Sequence, residues 1–151
     1  MSKDFWKRII FLIILLPIFL LAIEFFQHLN NPKLKIKKIQ IGSETITAEI
    51  ADTAFAQKRG LMYRENLEEN QGMLFPFEKA DYHAIWMKNM QFSLDILWIK
   101  DERVVYLREF VTLDNGEKIY TPPMKVDQVL EIPAGWMEKH NYGLGVEVSE
   151  K

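Results

Sequence analysis

The chain contains no cysteine in its 151 residues. This absence excludes a disulfide framework, a thiol nucleophile and a lipoprotein attachment site. Histidine is also scarce, and the three histidines, His28, His83 and His140, are scattered without the spacing of metal ligands. The sequence therefore predicts neither a bound metal nor another cofactor.

Signatures of several enzyme classes are absent too. There is no Gly-x-Ser-x-Gly elbow, phosphate-binding loop, dinucleotide fingerprint or His-Glu-x-x-His pair. The net charge is -2 and no basic recognition motif occurs, so nucleic-acid binding is not expected. The seven methionines raise the question of copper(I), which thioethers bind, but methionine is a common filler of protein cores and we interpret them as core residues.

The sequence does contain a long hydrophobic run, residues 9–26, which reads IIFLIILLPIFLLAIEFF. Its one charge is Glu24 and its one helix breaker is Pro17. As a helix it would span roughly 27 Å at about 1.5 Å per residue, close to the roughly 30 Å hydrocarbon core of a bilayer. The run predicts a single transmembrane anchor, with a short basic tail before it (residues 1–8), a juxtamembrane linker after it (residues 27–34), and the lipid bilayer as a partner.

Two other interpretations of this run fit its residues less well. The basic start at Lys3, Lys7 and Arg8 also suits a cleaved signal peptide, but no small-x-small cleavage site follows the apolar residues. A buried core helix would show a polar stripe, which this run lacks. Lysines follow the run as well, but folded domains translocate largely regardless of charge. We therefore expect a cytoplasmic N-terminus and an extracytoplasmic C-terminal domain.

Residues 35–151 have the short alternating patterns of a single β-rich globular domain. The opening segment predicts a hairpin that turns at Gly42, with a bulge in its first strand at Lys37 and Lys38. Further apolar segments predict strands at 72–77, 84–90, 94–100, 104–111, 126–132 and 143–148, and short helices at 54–60 and 136–140. The expected fold is α+β but mostly β, a small barrel-like antiparallel or mixed sheet with one or two short helices, behind the transmembrane helix.

Several charged residues lie among apolar ones. The segment LDILWIK at 94–100 is apolar at both parities, which is typical of a central strand and predicts that Asp95 is buried. A buried carboxylate must be neutral or paired, and Arg59, Arg64 and Lys88 are its candidate partners. Glu131, between Leu130 and Ile132, is in a similar position.

Four blocks of the sequence carry a resemblance: RGLMYRENLEENQGMLFPF, WMKNMQFSLDILWI, VLEIPAG and GLGVEV. In this order they resemble uncharacterised protein family 0127, also called domain of unknown function 192. The resemblance implies a small β-rich fold, frequent occurrence behind an N-terminal signal or anchor in prokaryotes, and no established activity. It places the family's recurrent polar positions on Arg59, Arg64, Lys88, Asn89, Asp95 and Glu131. Met90 stands where the family often has threonine, so a role for that hydroxyl is not expected.

Three functional hypotheses follow. The first is a membrane-anchored extracytoplasmic module that binds an anionic or sugar-like envelope ligand, or a partner protein, because arginine suits carboxylates and phosphates and indole suits sugar faces. The second is a hydrolase-type enzyme in which Asp95 and Glu131 act as an acid-base pair and Arg59 or Lys88 stabilises an oxyanion. The third is a purely structural envelope protein. No catalytic residue is assigned; the candidate ligand-binding residues are Arg59, Arg64, Trp86, Lys88, Asn89, Asp95 and Glu131.

Overall fold

The computed structural model describes residues 15–21, 33–114 and 116–151. The chain divides into two units, Met1–Lys33 and Leu34–Lys151. In the first unit, residues 15–21 are helical with exposed side chains. None of the helices within the described ranges has the length and apolar character needed to cross a membrane. The predicted anchor at 9–26 lies largely outside the described residues and stays a prediction.

The second unit is mostly β, as predicted, and its described part contains nine strands and two short helices. The strands are β1 (Lys35–Ile41), β2 (Glu44–Ile50), β3 (Gln71–Asp81), β4 (Ile85–Trp86), β5 (Leu94–Lys100), β6 (Arg103–Val111), β7 (Ile119–Tyr120), β8 (Val126–Pro133) and β9 (Val148–Glu150). The helices are α1 (Ala54–Arg59) and α2 (Trp136–Lys139).

Seven strands form one curled sheet in the order β6-β5-β8-β3-β2-β1-β9, and β4 pairs with β7 in a separate ribbon. All neighbours in the large sheet are antiparallel except β2 and β3. The segment before β9 returns to the opposite edge, where Val104 donates its N–H to Val146 O at 3.0 Å and accepts from Gly145 N at 2.8 Å. The sheet therefore curls into a half-barrel. Backbone hydrogen bonds link its β6 edge to the segment just before β9.

The opening hairpin is present, but its first strand differs from the prediction. The β1–β2 register runs without interruption from Lys35 opposite Ile50 to Ile41 opposite Glu44. The predicted bulge at Lys37 and Lys38 is therefore wrong, because these exposed lysines pair one to one with Ala48 and Thr47 of β2 in a regular ladder.

Both faces of the central strands are buried, which explains their doubly apolar pattern. On β5, Leu97 and Ile99 face the concave core with Leu130 and Ile132 of β8. The alternate residues face a second core on the convex side, formed by Ile96, Trp98, Val129, Phe75 and other residues beneath α1. The prediction of β5 as a central strand is confirmed, with β6 on one side and β8 on the other.

Helix α1 follows the local signals in the sequence. Thr53 Oγ1 accepts a hydrogen bond from Ala56 N at 3.2 Å, and Gly60 ends the helix at φ 50°. A side-chain cap and a terminal glycine in this position are common helix signals. The predicted strand at 84–90 is largely wrong, because only Ile85–Trp86 is a strand and a turn follows, in which Asn89 has φ 55°.

Candidate functional site

Asp95 is buried, as predicted, but its partners differ from those expected. Its Oδ1 accepts hydrogen bonds from Phe110 N at 2.9 Å and Gly135 N at 3.0 Å, and its Oδ2 accepts one from Met137 N at 3.0 Å. Gly135 begins α2 but has no capping side chain, so Asp95 supplies the cap from β5. The prediction that a cationic side chain pairs with Asp95 is wrong, because backbone N–H groups satisfy its carboxylate.

Glu131 is the other carboxyl group that is buried within the described residues, with 5% of its surface exposed. It lies on β8 opposite Met73 of β3 and Ile96 of β5, on the convex face. Burial raises its pKa to about 8, and the charge of Arg64 opposes this rise. A carboxyl with such a pKa is mostly protonated at pH 7, so Glu131 can donate as well as accept a hydrogen bond.

The two carboxyl groups do not meet. Asp95 is opposite Ile132 in the ladder and Glu131 is opposite Ile96. Directly opposite residues share a face, and successive residues alternate between faces. Asp95 therefore points to the concave core and Glu131 to the convex one. The hypothesis that these two residues form an acid-base pair is wrong.

Arg64 is held by Glu49 in a bidentate pair, with Nη1 2.5 Å from Oε1 and Nη2 2.8 Å from Oε2. Glu49 lies on β2 opposite Met73, which in turn is opposite Glu131. The three polar groups therefore occupy one row across the convex face. Because Glu49 uses both ends of the guanidinium fork, Arg64 acts on Glu131 through its charge.

A cavity of about 220 Å³ opens above Glu131. Apolar and aromatic side chains form most of its wall, among them Met62, Phe75, Phe77, Ile85, Trp86 and Met90. Lys58 and Arg59, from the last turn of α1, and His83 add polar groups. The His83 ring stacks on Phe77 at 3.5 Å, and its Nε2 is 2.9 Å from Lys79 O. We call this the inner pocket.

A second cavity of about 240 Å³, the outer pocket, shares Lys58, Arg59, Met62 and Trp86 with the inner one. Phe55, Tyr63 and Lys88 complete its lining. Three of the lining residues are cations, and none is acidic. Since the two pockets share four lining residues, they are adjacent, and we call the pair the cleft, with the buried Glu131 at its inner end and exposed cations at its outer end.

Asn89 supports the outer pocket from behind. Its side-chain Nδ2 donates to Tyr63 Oη at 2.7 Å, and its carbonyl accepts from Tyr63 N at 3.0 Å. Both residues have positive φ, 65° for Tyr63 and 55° for Asn89. Asn89 does not line either pocket. It fixes a wall of the cleft.

The structure thus gathers part of the predicted site. Arg59, Trp86, Lys88 and Glu131 line the cleft, whereas Arg64 and Asn89 act behind it and Asp95 lies on the other face. Sequence reasoning missed Phe55, Lys58, Tyr63, Phe77 and His83 as lining residues. Phe55 and Tyr63 are 50% and 62% exposed, but nothing in the sequence marks them as anything other than core residues.

Within residues 15–21, 33–114 and 116–151, no three histidine or acidic side chains are grouped so that they could hold a metal ion. The cleft offers instead an apolar wall, cations at its mouth and one protonatable carboxyl at its base. These features suit noncovalent binding of an organic molecule.

The comparisons with known proteins agree with this fold. A candidate transcription regulator from Sinorhizobium meliloti is 25% identical, with a TM-score of 0.76 over 80% of this chain and 97% of that one. A protein of unknown function from Novosphingobium aromaticivorans is 27% identical, with a TM-score of 0.73 over 78% of this chain and 87% of that one. No curated protein matches at a significant level. Residues 37–149 match the uncharacterized family DUF192, so the chain belongs to this family.

Proposed function

We propose that the domain is a binding module for a small, partly apolar organic anion, which occupies the cleft formed by the inner and outer pockets. The observation that carries the proposal is the lining of the outer pocket, where Lys58, Arg59 and Lys88 surround aromatic and methionine side chains with no acidic residue among them. Like charges converging on a concave, low-dielectric surface attract and concentrate an oppositely charged ligand.

The apolar walls favour an organic acid over a sugar. A sugar needs several hydrogen-bonding side chains around its hydroxyl groups, but the inner pocket is mostly apolar. Two of its polar groups are already used, since Gln57 Nε2 donates to Pro76 O at 2.9 Å and His83 Nε2 contacts Lys79 O. The two pockets measure about 220 and 240 Å³, which suits a small molecule that occupies both.

The cellular setting is part of the same proposal. The hydrophobic run at 9–26 supports a membrane-tethered chain, and the basic tail before it supports an extracytoplasmic domain. A tethered module in this position would meet small anions of the cell envelope.

Calorimetry with a simple probe tests the proposal. We would titrate the full chain in lipid nanodiscs with 4-phenylbutyrate, using 4-phenylbutyramide as the uncharged analogue and empty nanodiscs as the blank. We expect saturable binding of the acid and much weaker binding of the amide. Lys88→Ala and Trp86→Ala should weaken binding of the acid about tenfold, because they remove a cation and an aromatic wall.

The matched control is Lys100→Ala, which removes an exposed lysine that lines neither pocket. It should bind the acid like the wild type. Equal binding of acid and amide, or equal loss of affinity in Lys88→Ala and Lys100→Ala, would contradict the proposal.

A further inference from the structure

The cleft has two chemically different ends. At the outer end, Lys58 and Lys88 are exposed cations. At the inner end, Glu131 is almost completely buried and lies among Phe75, Ile85 and Met90. A molecule that reaches from one end to the other must therefore match a wet, positive environment and a dry one that contains a single carboxyl group.

Gly60 and Phe75 border the Glu131 carboxyl group at the inner end. A side chain on Gly60 would meet Phe75 Cζ at 3.5 Å and Glu131 Oε2 at 4.0 Å. This places the carboxyl oxygen close to the chain that forms the wall of the pocket. A ligand atom in the inner pocket can therefore approach the Glu131 carboxyl group.

The charges around Glu131 come from several elements. Lys58 and Arg59 reach the pocket from α1, His83 comes from the segment before β4, and the charge of Arg64 acts from the Glu49 pair. Burial outweighs the nearby cation and keeps the pKa of Glu131 raised. The protonated carboxyl can then donate one hydrogen bond and accept others.

We infer, building on the proposed function, that the ligand has a fixed orientation: its anionic group lies at Lys58 and Lys88, and its inner end is uncharged and carries an oxygen that hydrogen-bonds the Glu131 carboxyl. Glu131 is thus a specificity-determining residue of the cleft. The ligand class is an organic acid with a hydroxyl or carbonyl group at the end remote from its acid group.

Other chemical groups at the inner end of the ligand are less compatible with the residues around Glu131. A second carboxylate would be placed in an apolar pocket beside Glu131, and like charges at short distance disfavour ionisation of both. An ammonium group could pair with an ionised Glu131, but the charge of Arg64 repels it and the apolar pocket would desolvate it. A purely apolar end would leave the buried carboxyl unpaired.

A probe series that varies only the inner end tests this orientation. The full chain in nanodiscs is titrated at pH 7 with 4-phenylbutyrate and its para-hydroxy, para-carboxylate and para-aminomethyl derivatives. We expect the hydroxyl to strengthen binding about fivefold over the unsubstituted acid, as one buried hydrogen bond would. The para-carboxylate and para-aminomethyl probes should bind at least tenfold more weakly.

Two variants test whether Glu131 causes the preference for the para-hydroxy probe over the unsubstituted acid. Glu131→Gln keeps a donor and an acceptor, so the preference for the hydroxyl probe should persist. Glu131→Leu removes both, so the hydroxyl and unsubstituted probes should bind equally. The same preference in Glu131→Leu as in the wild type would overturn the inference.

The series also separates this inference from the proposed function. If all four probes bind equally, or the para-carboxylate or para-aminomethyl probe binds best, the orientation is wrong while anion binding in the cleft stands. If the para-hydroxy probe fails to bind although 4-phenylbutyrate shows its expected dependence on Lys88 and Trp86, the orientation is again wrong. Loss of that dependence overturns the proposed function itself.

Discussion

Asp95 and Glu131 occupy neighbouring strands, one register step apart, and their side chains point to opposite faces of the sheet. Asp95 caps α2 on the concave side by accepting from Gly135 N and Met137 N, and it also accepts from Phe110 N of β6. Glu131 forms the base of a cleft on the convex side. The two buried carboxyl groups therefore have different tasks, one structural and one suited to ligand contact.

Replacing Asp95 should destabilise the domain strongly. Asp95→Ala leaves the N–H groups of Phe110, Gly135 and Met137 without their acceptor, and each such loss costs about 1–3 kcal/mol where no water replaces it. We expect the free energy of unfolding to fall by about 3 kcal/mol or more, measured by urea denaturation. Asp95→Asn should cost less, since Oδ1 can still accept two of the bonds. A free energy of unfolding that is unchanged in Asp95→Ala would refute the capping role.

Glu131 should make the stability pH-dependent. Its pKa is about 8 in the folded chain and about 4.5 without burial, so between these values the folded state binds more protons than the unfolded state. Its contribution to stability is fully present below about pH 4.5 and is lost as the pH rises through about 8. In Glu131→Gln this part of the pH dependence should disappear, as measured by urea midpoints from pH 5 to 9. Identical slopes in wild type and variant would contradict the raised pKa.

Gly116 should control the shape of the cleft without lining it. Its φ is 78°, and a Cβ there would lie 2.6 Å from Lys88 Cβ and 2.9 Å from Lys88 Cα. Gly116→Ala must therefore displace the segment that carries Lys88, and we expect weaker 4-phenylbutyrate binding by calorimetry and a loss of stability of about 1 kcal/mol or more. Gly145→Ala, at φ 86° and with no described atom within 4 Å of the added Cβ, is the matched control. Equal behaviour of the two variants would show that this contact is unimportant.

Residues 9–26 should hold the chain at a membrane. We expect the full chain to sediment with membranes after carbonate washing and a chain beginning at residue 34 to remain in the supernatant. Added protease should reach the C-terminal domain from the extracytoplasmic side in intact cells or spheroplasts. Release of the full chain by carbonate would contradict the predicted anchor. Protection of the domain from protease would contradict its predicted orientation.

The sequence alone determined those features that depend on local pattern. Two-residue alternation predicted the opening hairpin, and apolar residues at both parities predicted the central strand β5, because side chains of a strand alternate between faces. Thr53 and Gly60 predicted α1, because capping depends on neighbouring residues only. The apolar residues at both parities of LDILWIK also predicted that Asp95 is buried, and the structure confirms it.

Only the tertiary structure decided how distant segments meet. Asp95 lacks a cationic partner because α2, forty residues further on, brings Gly135 N and Met137 N to its carboxylate. The register between β5 and β8 sends Glu131 to the other face, and pairing across strands cannot be read from either strand by itself. The cleft likewise depends on α1 and β4 packing over Glu131, which are contacts between segments far apart in the chain.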